Sequence, residues 1–290
     1  MKKNIAFALI VFIFFSTQSV FSVEWPQEDN SENSIVSYFA QNVSDRMSTS
    51  IIFSEPSGVK AIKDGKILII MSDIEDDSEF FPSSLGSCVI LSHEDDLISV
   101  YSNLEEASVQ EQLHGKSSVT EGQIIGNTGN SGWQKERSCL EFQIIDTQKS
   151  SAINPKILLP RIEYEKDYNL NGITLQNKDG VFYDLKERKN FPSGSYKVYH
   201  TRNTIASPYK MTTTINGVIV DEISFDTITM QHGTLYVKGK KQYDSKTIYP
   251  NDNLILTGEV MLTPGKSILG LSVENFLGKS KQLNYNLTIY

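Results

Sequence analysis

A short stretch near the middle of the chain, SCLEFQI at 138–144, combines chemically active side chains with strand-like spacing. Its alternation predicts a β-strand with Cys139, Glu141 and Gln143 on one face and apolar residues on the other. A deprotonated thiol is a nucleophile or a metal ligand, and a carboxylate is a metal ligand or a general base. The row is therefore expected to be either the wall of an active site or the remains of one.

The histidines that would complete such a site are poorly placed in the sequence. A Cys–His hydrolase needs a thiolate beside a His, but His93 follows Cys88 by five residues, so on one strand the two would face opposite sides. Glu141 and Cys139 could bind zinc, but the sequence supplies no visible third ligand. GxSxG, P-loop and dinucleotide motifs are also missing, so we expect no cofactor. None of the histidines forms an i,i+2 or i,i+4 pair typical of zinc sites: His93, His114, His200 and His232.

An acidic run, SDIEDDSE at 72–79, lies between two predicted strands. Carboxylates bind calcium, but this run lacks the Gly and the terminal Glu of an EF-hand loop. It is predicted to be a solvated hairpin loop.

Short strands must position these side chains. In the first half of the chain, turns rich in Gly, Asp and Asn separate the apolar stretches, as in KDG at 63–65 and GNTGNSG at 126–132. One short helix is predicted within Asn103–Leu113. The predicted strands are Val59–Ile62, Lys66–Met71, Cys88–Ser92, Ile98–Tyr101 and Leu140–Ile145.

The second half reads as strands throughout. Seven or eight strand patterns without a helix, over about 125 residues, predict an antiparallel β-sandwich. We therefore predict a mostly-β protein with a signal segment at 1–22, an extended lead-in at 23–45, a first domain at 46–162 and the β-sandwich at 163–290.

The N-terminal residues predict export. Two lysines precede an apolar run, Ile5–Phe15, and Val20 and Ser22 stand at −3 and −1 of a cleavable bond. The alternative is an uncleaved membrane anchor, for which the apolar run is short. No later stretch is long and apolar enough to cross a bilayer. We expect an exported protein of the periplasm or cell envelope, without a transmembrane span after cleavage.

The charge of the chain excludes one class of binding partner. The net charge is −8 and no basic patch is visible, so nucleic acid is not an expected partner.

Two cysteines in an exported chain permit one disulfide, Cys88–Cys139. It would close a loop of about fifty residues and stabilise the fold by roughly 4 kcal/mol. Two buried free thiols are the alternative.

Five phrases, in order, resemble the lysostaphin-like (LytM-type) zinc endopeptidases, which cut peptide cross-links in peptidoglycan. Family members show V-x-A-x-x-x-G, then V-x-I-x-H with Y-x-H-L, then V-x-x-G-Q-x-I-G-x-x-G-x-x-G, H-L-H-F-E and a downstream N-P. The resemblance covers roughly 46–160 and implies a LytM-like antiparallel sheet. The phrases here are GVKAIKDGKI (58–67), GSCVILSHEDDLISVYSNL (86–104), VTEGQIIGNTGNSG (119–132), CLEFQI (139–144) and INPKILLP (153–160).

The resemblance implies five polar residues around one zinc, and this sequence departs from all of them. In the family, a His, an Asp four positions later and the second His of H-L-H hold the metal, while two further His move protons. Here Asn103 stands at the catalytic His of Y-x-H-L, Cys139 at the first His of H-L-H, and Glu141 at the second. The remaining His and Asp positions fall on Arg46 with Ser50, or on Ser48 with Ile52.

These departures imply a pseudo-peptidase with neither catalytic residues nor a bound metal. Its groove, with Asn103, Cys139, Glu141 and Gln143, would bind peptidoglycan or a periplasmic protein partner such as a cell-wall hydrolase. One alternative is a structural or adhesive envelope protein acting through the β-sandwich. That part resembles, at 207–218 and 262–279, the immunoglobulin-like domain that follows a LytM-like domain in spirochaete-type envelope proteins. The other is an active zinc endopeptidase with unorthodox ligands that include Glu141.

Overall fold

The structure is a computed structural model that describes residues 23–28, 30–54, 56–71, 83–133 and 138–290. The predicted signal segment at 1–22 and the acidic run at 72–79 lie outside the described residues. Strands account for 49% of the structure and helices for 8%, which confirms the predicted mostly-β fold. Across the described residues, every helix is too short or too polar to cross a membrane.

The first half consists mainly of short strands. A 3-10 turn, Glu32–Ser34, precedes them, and two short helices are α1 (Glu106–Leu113) and α2 (Pro155–Leu158). The strands are β1 (Ile35–Ser37), β2 (Asn42–Val43), β3 (Arg46–Met47), β4 (Ile51–Phe53), β5 (Gly58–Lys60), β6 (Gly65–Met71), β7 (Ser87–Ser92), β8 (Leu97–Leu104), β9 (Ser118–Val119), β10 (Ile124–Asn127), β11 (Glu141–Asp146) and β12 (Ser151–Ile153).

Six of these strands form one antiparallel layer in the order β9-β6-β7-β8-β11-β12, with β4 pairing the start of β11. A separate two-stranded sheet pairs β5 with β10. β11 alternates half-buried and buried residues, as a strand does when only one face meets the core. On the core side, Phe142 packs against Tyr101 with ring centroids 5.2 Å apart. The half-buried side carries Glu141 and Gln143.

The segment predicted as an extended lead-in is built into this fold. Trp25 packs edge-on against Phe53 and donates its indole N–H to the Pro160 carbonyl at 2.8 Å. Further along, β1 pairs with β4 and β2 pairs with β3. The lead-in therefore contributes strands and core side chains to the domain that follows it.

The strands of the second half are β13 (Thr174–Asn177), β14 (Phe182–Asp184), β15 (Asn190–Phe191), β16 (Gly194–Thr201), β17 (Lys210–Ile215), β18 (Val218–Gln231), β19 (Thr234–Lys238), β20 (Gln242–Asp244), β21 (Leu254–Leu262), β22 (Gly265–Glu274) and β23 (Ser280–Ile289), with the short helix α3 (Ser245–Ile248). They form two sheets packed face to face. One is the antiparallel sheet β14-β13-β16-β21, and the other contains the antiparallel strands β23-β22-β17-β18 with β19 and β20. The short strand β15 pairs parallel with β23 at the edge of the second sheet.

A buried carboxylate ties the two sheets of the second half together. Asp221 on β18 accepts hydrogen bonds from the Tyr243 hydroxyl at 2.5 Å and from the Glu259 amide, on β21, at 2.8 Å. Burial and the Asp221 carboxylate raise the pKa of Tyr243. The phenol therefore keeps its proton and remains a donor to Asp221.

The two halves share one continuous sheet. β12 pairs antiparallel with β18, and Ile153 lies opposite Thr227. Beside this junction, buried Lys156 contacts the carboxylates of Glu32 at 2.7 Å and Glu165 at 2.9 Å. Backbone pairing and a buried ion cluster therefore join the lead-in, the first sheet and the linker to the second half.

Candidate functional site

The predicted row of polar side chains begins at Glu141, the first residue of β11. Glu141 lies opposite Ser102 of β8 and Ile52 of β4, so its side chain stands where three strands meet. Its carboxylate accepts hydrogen bonds from the Ser50 hydroxyl at 2.8 Å and from the Trp133 indole N–H at 2.8 Å. Two neutral donors therefore fix both oxygens of this carboxylate.

Gln143 continues the row two residues along β11. Its side-chain amide donates to the Thr49 hydroxyl at 2.5 Å. Thr49 and Ser50 lie in the short segment between β3 and β4, so this segment lies beside the two predicted groove residues of β11. The half-buried groove residues offer hydroxyl, amide and carboxylate groups, which bind polar ligands through hydrogen bonds.

Asn103 was predicted to line the groove, but it is buried, with 1% of its surface exposed. Its amide nitrogen donates to the carbonyls of Gly129 and Cys139 at 2.9 and 2.6 Å. Its oxygen accepts from the amides of Ser131 and Gly132, both at 3.0 Å. The backbone has φ = 64°, a left-handed conformation that Asn tolerates better than most residues. Asn103 is therefore a loop anchor and is not available to a ligand.

Cys139 is also buried, at 2% exposure, and precedes β11 instead of sharing its half-buried face. The prediction that Cys139 belongs to the ligand-facing row is therefore corrected by its burial. Of the four predicted groove residues, the structure leaves Glu141 and Gln143 accessible.

The predicted Cys88–Cys139 disulfide is not formed, and both thiols are buried. β8 lies between β7, which carries Cys88, and β11, which follows Cys139. Two strand spacings amount to about 9.6 Å, beyond the Cα separation of about 7 Å that a disulfide spans. Burial raises the pKa of the Cys88 thiol to about 11, so it stays protonated near neutral pH and is a poor nucleophile.

The histidines are not brought together. His93 bridges the Asp64 carbonyl at 2.8 Å and the Ser99 hydroxyl at 2.9 Å. His200 lies in the second half between the hydroxyls of Tyr168 and Thr257. The other two, His114 and His232, are exposed. Within the described ranges, no three His, Cys, Asp or Glu side chains cluster closely enough to hold a metal.

The donor set around Glu141 does not fit the zinc of the LytM-type peptidases. A catalytic zinc needs three protein ligands drawn from His, carboxylate and thiolate groups, plus an open position. Here Glu141 has a serine hydroxyl and an indole N–H as its neighbours, and both donate to it. The contact with Ser50 also favours the alignment that places Arg46 and Ser50 at the family's His and Asp positions.

A cavity of about 460 Å³ lies at the N-terminal end of α1, and its lining includes Ser138, three residues before Glu141. Hydroxyl, amide and carboxylate side chains make up most of its described wall. These polar residues are Ser87, Glu105, Glu106, Thr128, Asn130, Ser131 and Ser138.

Sequence reasoning missed Trp133, Thr49 and Ser50. Trp133 stands in a turn with no periodic pattern, eight residues before its partner Glu141. Thr49 and Ser50 lie ninety-four and ninety-one residues from theirs. The only available signal was the alignment of Ser50 with the Asp of the family motif.

Comparison with known proteins shows what parts of the chain are similar to. A family model described as Peptidase family M23 matches residues 46–155. A second family model, without a functional description, matches residues 167–290. An uncharacterized protein of Treponema pallidum (strain Nichols) is 36% identical over 58 residues, or 20% of this chain. The match spans 40% of that relative's length.

Solved structures show weaker likenesses. A chain of the SpoIIIAH and SpoIIQ complex is 22% identical, with a TM-score of 0.36, and the match covers 47% of this chain and 99% of that one. The catalytic domain of a variant of EnpA, a prophage-encoded M23 protein from Enterococcus faecalis, is 20% identical over 42% of this chain and 88% of its own, with a TM-score of 0.33. A zinc-containing peptidase from Vibrio cholerae is 16% identical, with a TM-score of 0.31, and the match covers 42% of this chain and 36% of that one.

Proposed function

Because residues 46–155 form a domain of peptidase family M23, we propose that this protein is a catalytically inactive member of that family. In this proposal it is exported to the periplasm or cell envelope and acts as a binding or regulatory module. Its groove, beside Glu141 and Gln143, binds peptidoglycan or a periplasmic protein partner such as a cell-wall hydrolase.

The contacts of Glu141 carry this proposal. At the position where the family has a zinc-binding His, Glu141 accepts hydrogen bonds from Ser50 and Trp133. Both neighbours are neutral donors, so neither adds a metal ligand. A carboxylate held in this way can recognise a ligand by accepting hydrogen bonds.

Export is supported by the N-terminal pattern of two lysines, an apolar run and small residues at the cleavage positions. The proposed compartment is the one in which peptidoglycan and its hydrolases meet. Cell fractionation with an antibody against the second half, together with the N-terminal sequence of the mature chain, tests it.

The function is tested on the purified chain beginning at Val23. Metal analysis is expected to find far less than one zinc per chain, and incubation with sacculi is expected to release no muropeptides. The same protein should sediment with intact sacculi or retain a hydrolase in a periplasmic pull-down. Muropeptide release that disappears in Glu141→Ala would instead establish an active endopeptidase.

A second candidate, adhesion through the β-sandwich, is favoured by one observation. The β17–β18 hairpin ends in exposed apolar residues, with Val218 and Ile219 at 66% and 59% exposure, and Ile268 is exposed nearby. Large apolar side chains grouped at a surface are typical of protein contacts. If Val218→Ser/Ile219→Ser abolishes retention while Glu141→Ala leaves it intact, the second half is the binding element.

A further inference from the structure

The surface beside the groove contains an aromatic ring that the fold leaves exposed. Trp133 shows 56% of its surface, whereas the chain's other tryptophan, Trp25, is buried in the core. The Trp133 indole N–H is held by Glu141 at 2.8 Å. One edge of the ring is therefore fixed while most of the ring remains open to a ligand.

The adjoining cavity of about 460 Å³ provides hydrogen-bonding groups next to this ring. The side chains of Ser87, Thr128, Ser131 and Ser138 line it, and Asn130 adds an amide. Ser131 precedes Trp133 by two residues, so their Cα atoms are at most about 7 Å apart. One extended ligand can therefore touch both the ring and the cavity.

The loop that joins the ring to the cavity is held rigidly. The Asn103 oxygen accepts from the amides of both Ser131 and Gly132. The Ser131 hydroxyl donates to the Leu104 carbonyl at 2.9 Å. At Gly86, with φ = 63°, an added Cβ would lie 2.4 Å from the Gly132 nitrogen, so the two backbone segments are in direct contact. A preformed loop loses little entropy when a ligand binds.

The described wall of the cavity carries the carboxylates of Glu105 and Glu106. The chain as a whole carries a net charge of −8. A stem peptide with free carboxylates would be repelled here, whereas a neutral ligand rich in hydroxyl and amide groups would not.

We infer that Trp133 and this cavity together bind a neutral glycan strand. The apolar face of a sugar ring stacks on the indole, and the hydroxyl and acetamido groups of the neighbouring sugar bond to the cavity wall. This inference rests on the proposed binding of peptidoglycan by an inactive M23 domain. It assigns the contact to the sugar chain and not to the peptide cross-link.

The experiment titrates the chain beginning at Val23 with a β-1,4-linked N-acetylglucosamine tetramer and follows the heat of binding by isothermal titration calorimetry, a readout that also works in a variant without Trp133. We expect saturable binding that Trp133→Ala weakens by about 10-fold or more, and that Asn130→Ala weakens by about 5-fold. Tyr164→Ala, which removes another ring of similar exposure at 57%, should leave the affinity unchanged. Circular dichroism confirms that each variant is folded.

Sedimentation with intact sacculi and with chitin, an uncharged β-1,4-linked N-acetylglucosamine polymer, separates this inference from the proposed function. Both polymers should retain the protein, and isolated stem peptides should not compete. If sacculi retain the protein but chitin and the tetramer do not bind it, the glycan site is refuted while the proposed function stands. If neither polymer retains the protein, the tetramer does not bind and the periplasmic pull-down captures no partner, both fail.

Discussion

Asn103 shows, at the scale of one residue, how a position expected to be catalytic serves the fold instead. Its side-chain amide makes two donor and two acceptor contacts with the loop at 129–132 and with Cys139. These contacts give hydrogen-bond partners to backbone N–H and C=O groups that secondary structure does not pair. The same side chain makes the left-handed conformation at this position tolerable.

Replacing Asn103 with Ala should destabilise the protein by about 3 kcal/mol. Ala leaves four buried backbone groups without their partner and is strained at φ = 64°. Asn103→Gly should destabilise the protein by about 1 kcal/mol less than Asn103→Ala. Gly loses the same four contacts, but it adopts this left-handed conformation without strain. Chemical denaturation followed by circular dichroism measures both, and Asn286→Ala, at an exposed strand position, should change stability by less than about 0.5 kcal/mol. Equal losses for Ala and Gly would refute the contribution of strain.

Restoring the family's metal ligands should restore zinc binding. Arg46→His/Ser50→Asp/Glu141→His places two imidazoles and a carboxylate where the Ser50–Glu141 contact of 2.8 Å already brings side chains together. Metal analysis should then find about one zinc per chain, as a three-ligand site retains the ion. The double variant Arg46→His/Ser50→Asp is the control and should retain much less. A folded triple variant without zinc would show that Arg46 and Ser50 are not the aligned positions.

Particular residues show what the sequence could predict of the site. Glu141 and Gln143 were predicted correctly as neighbours on one strand face, because strand periodicity alone determines it. The environment of Cys139 could not be predicted, since the strand begins two residues after it. Trp133 could not be predicted either, because a turn residue reaches Glu141 only through the folded path of the chain.

At the scale of elements, the strand patterns of the first half were well predicted. β6, β7 and β11 begin and end within one residue of the predicted bounds, and the short helix within Asn103–Leu113 is α1. The order of the strands was not predictable, because it depends on long-range pairing. That order places β8 between β7, which carries Cys88, and β11, which follows Cys139, and the two cysteines are not bonded. The immunoglobulin-like topology of the second half remains a prediction.

The second half depends on a neutral histidine between its elements. His200 on β16 contacts the hydroxyls of Tyr168, in the linker, and Thr257, on β21, both at 2.9 Å. Burial lowers the pKa of His200 to about 3. In the unfolded chain the imidazole takes up a proton near pH 6.5. The unfolded state therefore binds more protons between these pH values, and the stability from this group is lost as the pH falls below about 6.5.

Lowering the pH from 7 to 5 should therefore destabilise the protein through His200, with a slope approaching about 1.4 kcal/mol per pH unit at the acidic end. His200→Gln should show a smaller slope, although its stability at pH 7 is also lower because a buried hydrogen-bonded group is changed. His114→Gln, at an exposed position, should keep the slope of the unmodified protein. Urea unfolding at each pH measures the three slopes, and indistinguishable slopes for all of them would contradict the role of His200.

At the scale of the whole molecule, one sheet runs through both halves and joins them by backbone hydrogen bonds. The sequence did not predict this, because β12 is a three-residue strand and its pairing with β18 joins residues more than seventy positions apart. Further contacts bring the second half against the segment before β3: the Tyr249 hydroxyl donates to the Ala40 carbonyl at 2.7 Å, and Arg202 donates to the Asn42 carbonyl at 2.9 Å. The second half therefore supports the segment that leads to Thr49 and Ser50 at the groove.

Lys156 should be the most sensitive residue of this junction. Its ammonium group, almost fully buried, neutralises Glu32 and Glu165, and Glu165 also accepts from the Leu277 amide at 3.2 Å. Lys156→Met leaves two buried carboxylates without a cation, which should cost about 3–5 kcal/mol. The loss should appear as a lower Tm and as faster proteolysis of the segment at 160–168.

Two comparisons isolate the charge of Lys156 from its packing. Lys149→Met removes a lysine that pairs with Asp146 but is 77% exposed, and it should leave Tm and proteolysis unchanged. Adding Glu32→Gln/Glu165→Gln to Lys156→Met removes the two unpaired negative charges and keeps a hydrogen-bond acceptor on each side chain. It should recover a large part of the lost stability. If the triple variant is no more stable than Lys156→Met, the junction depends on the shape of the lysine and not on its charge.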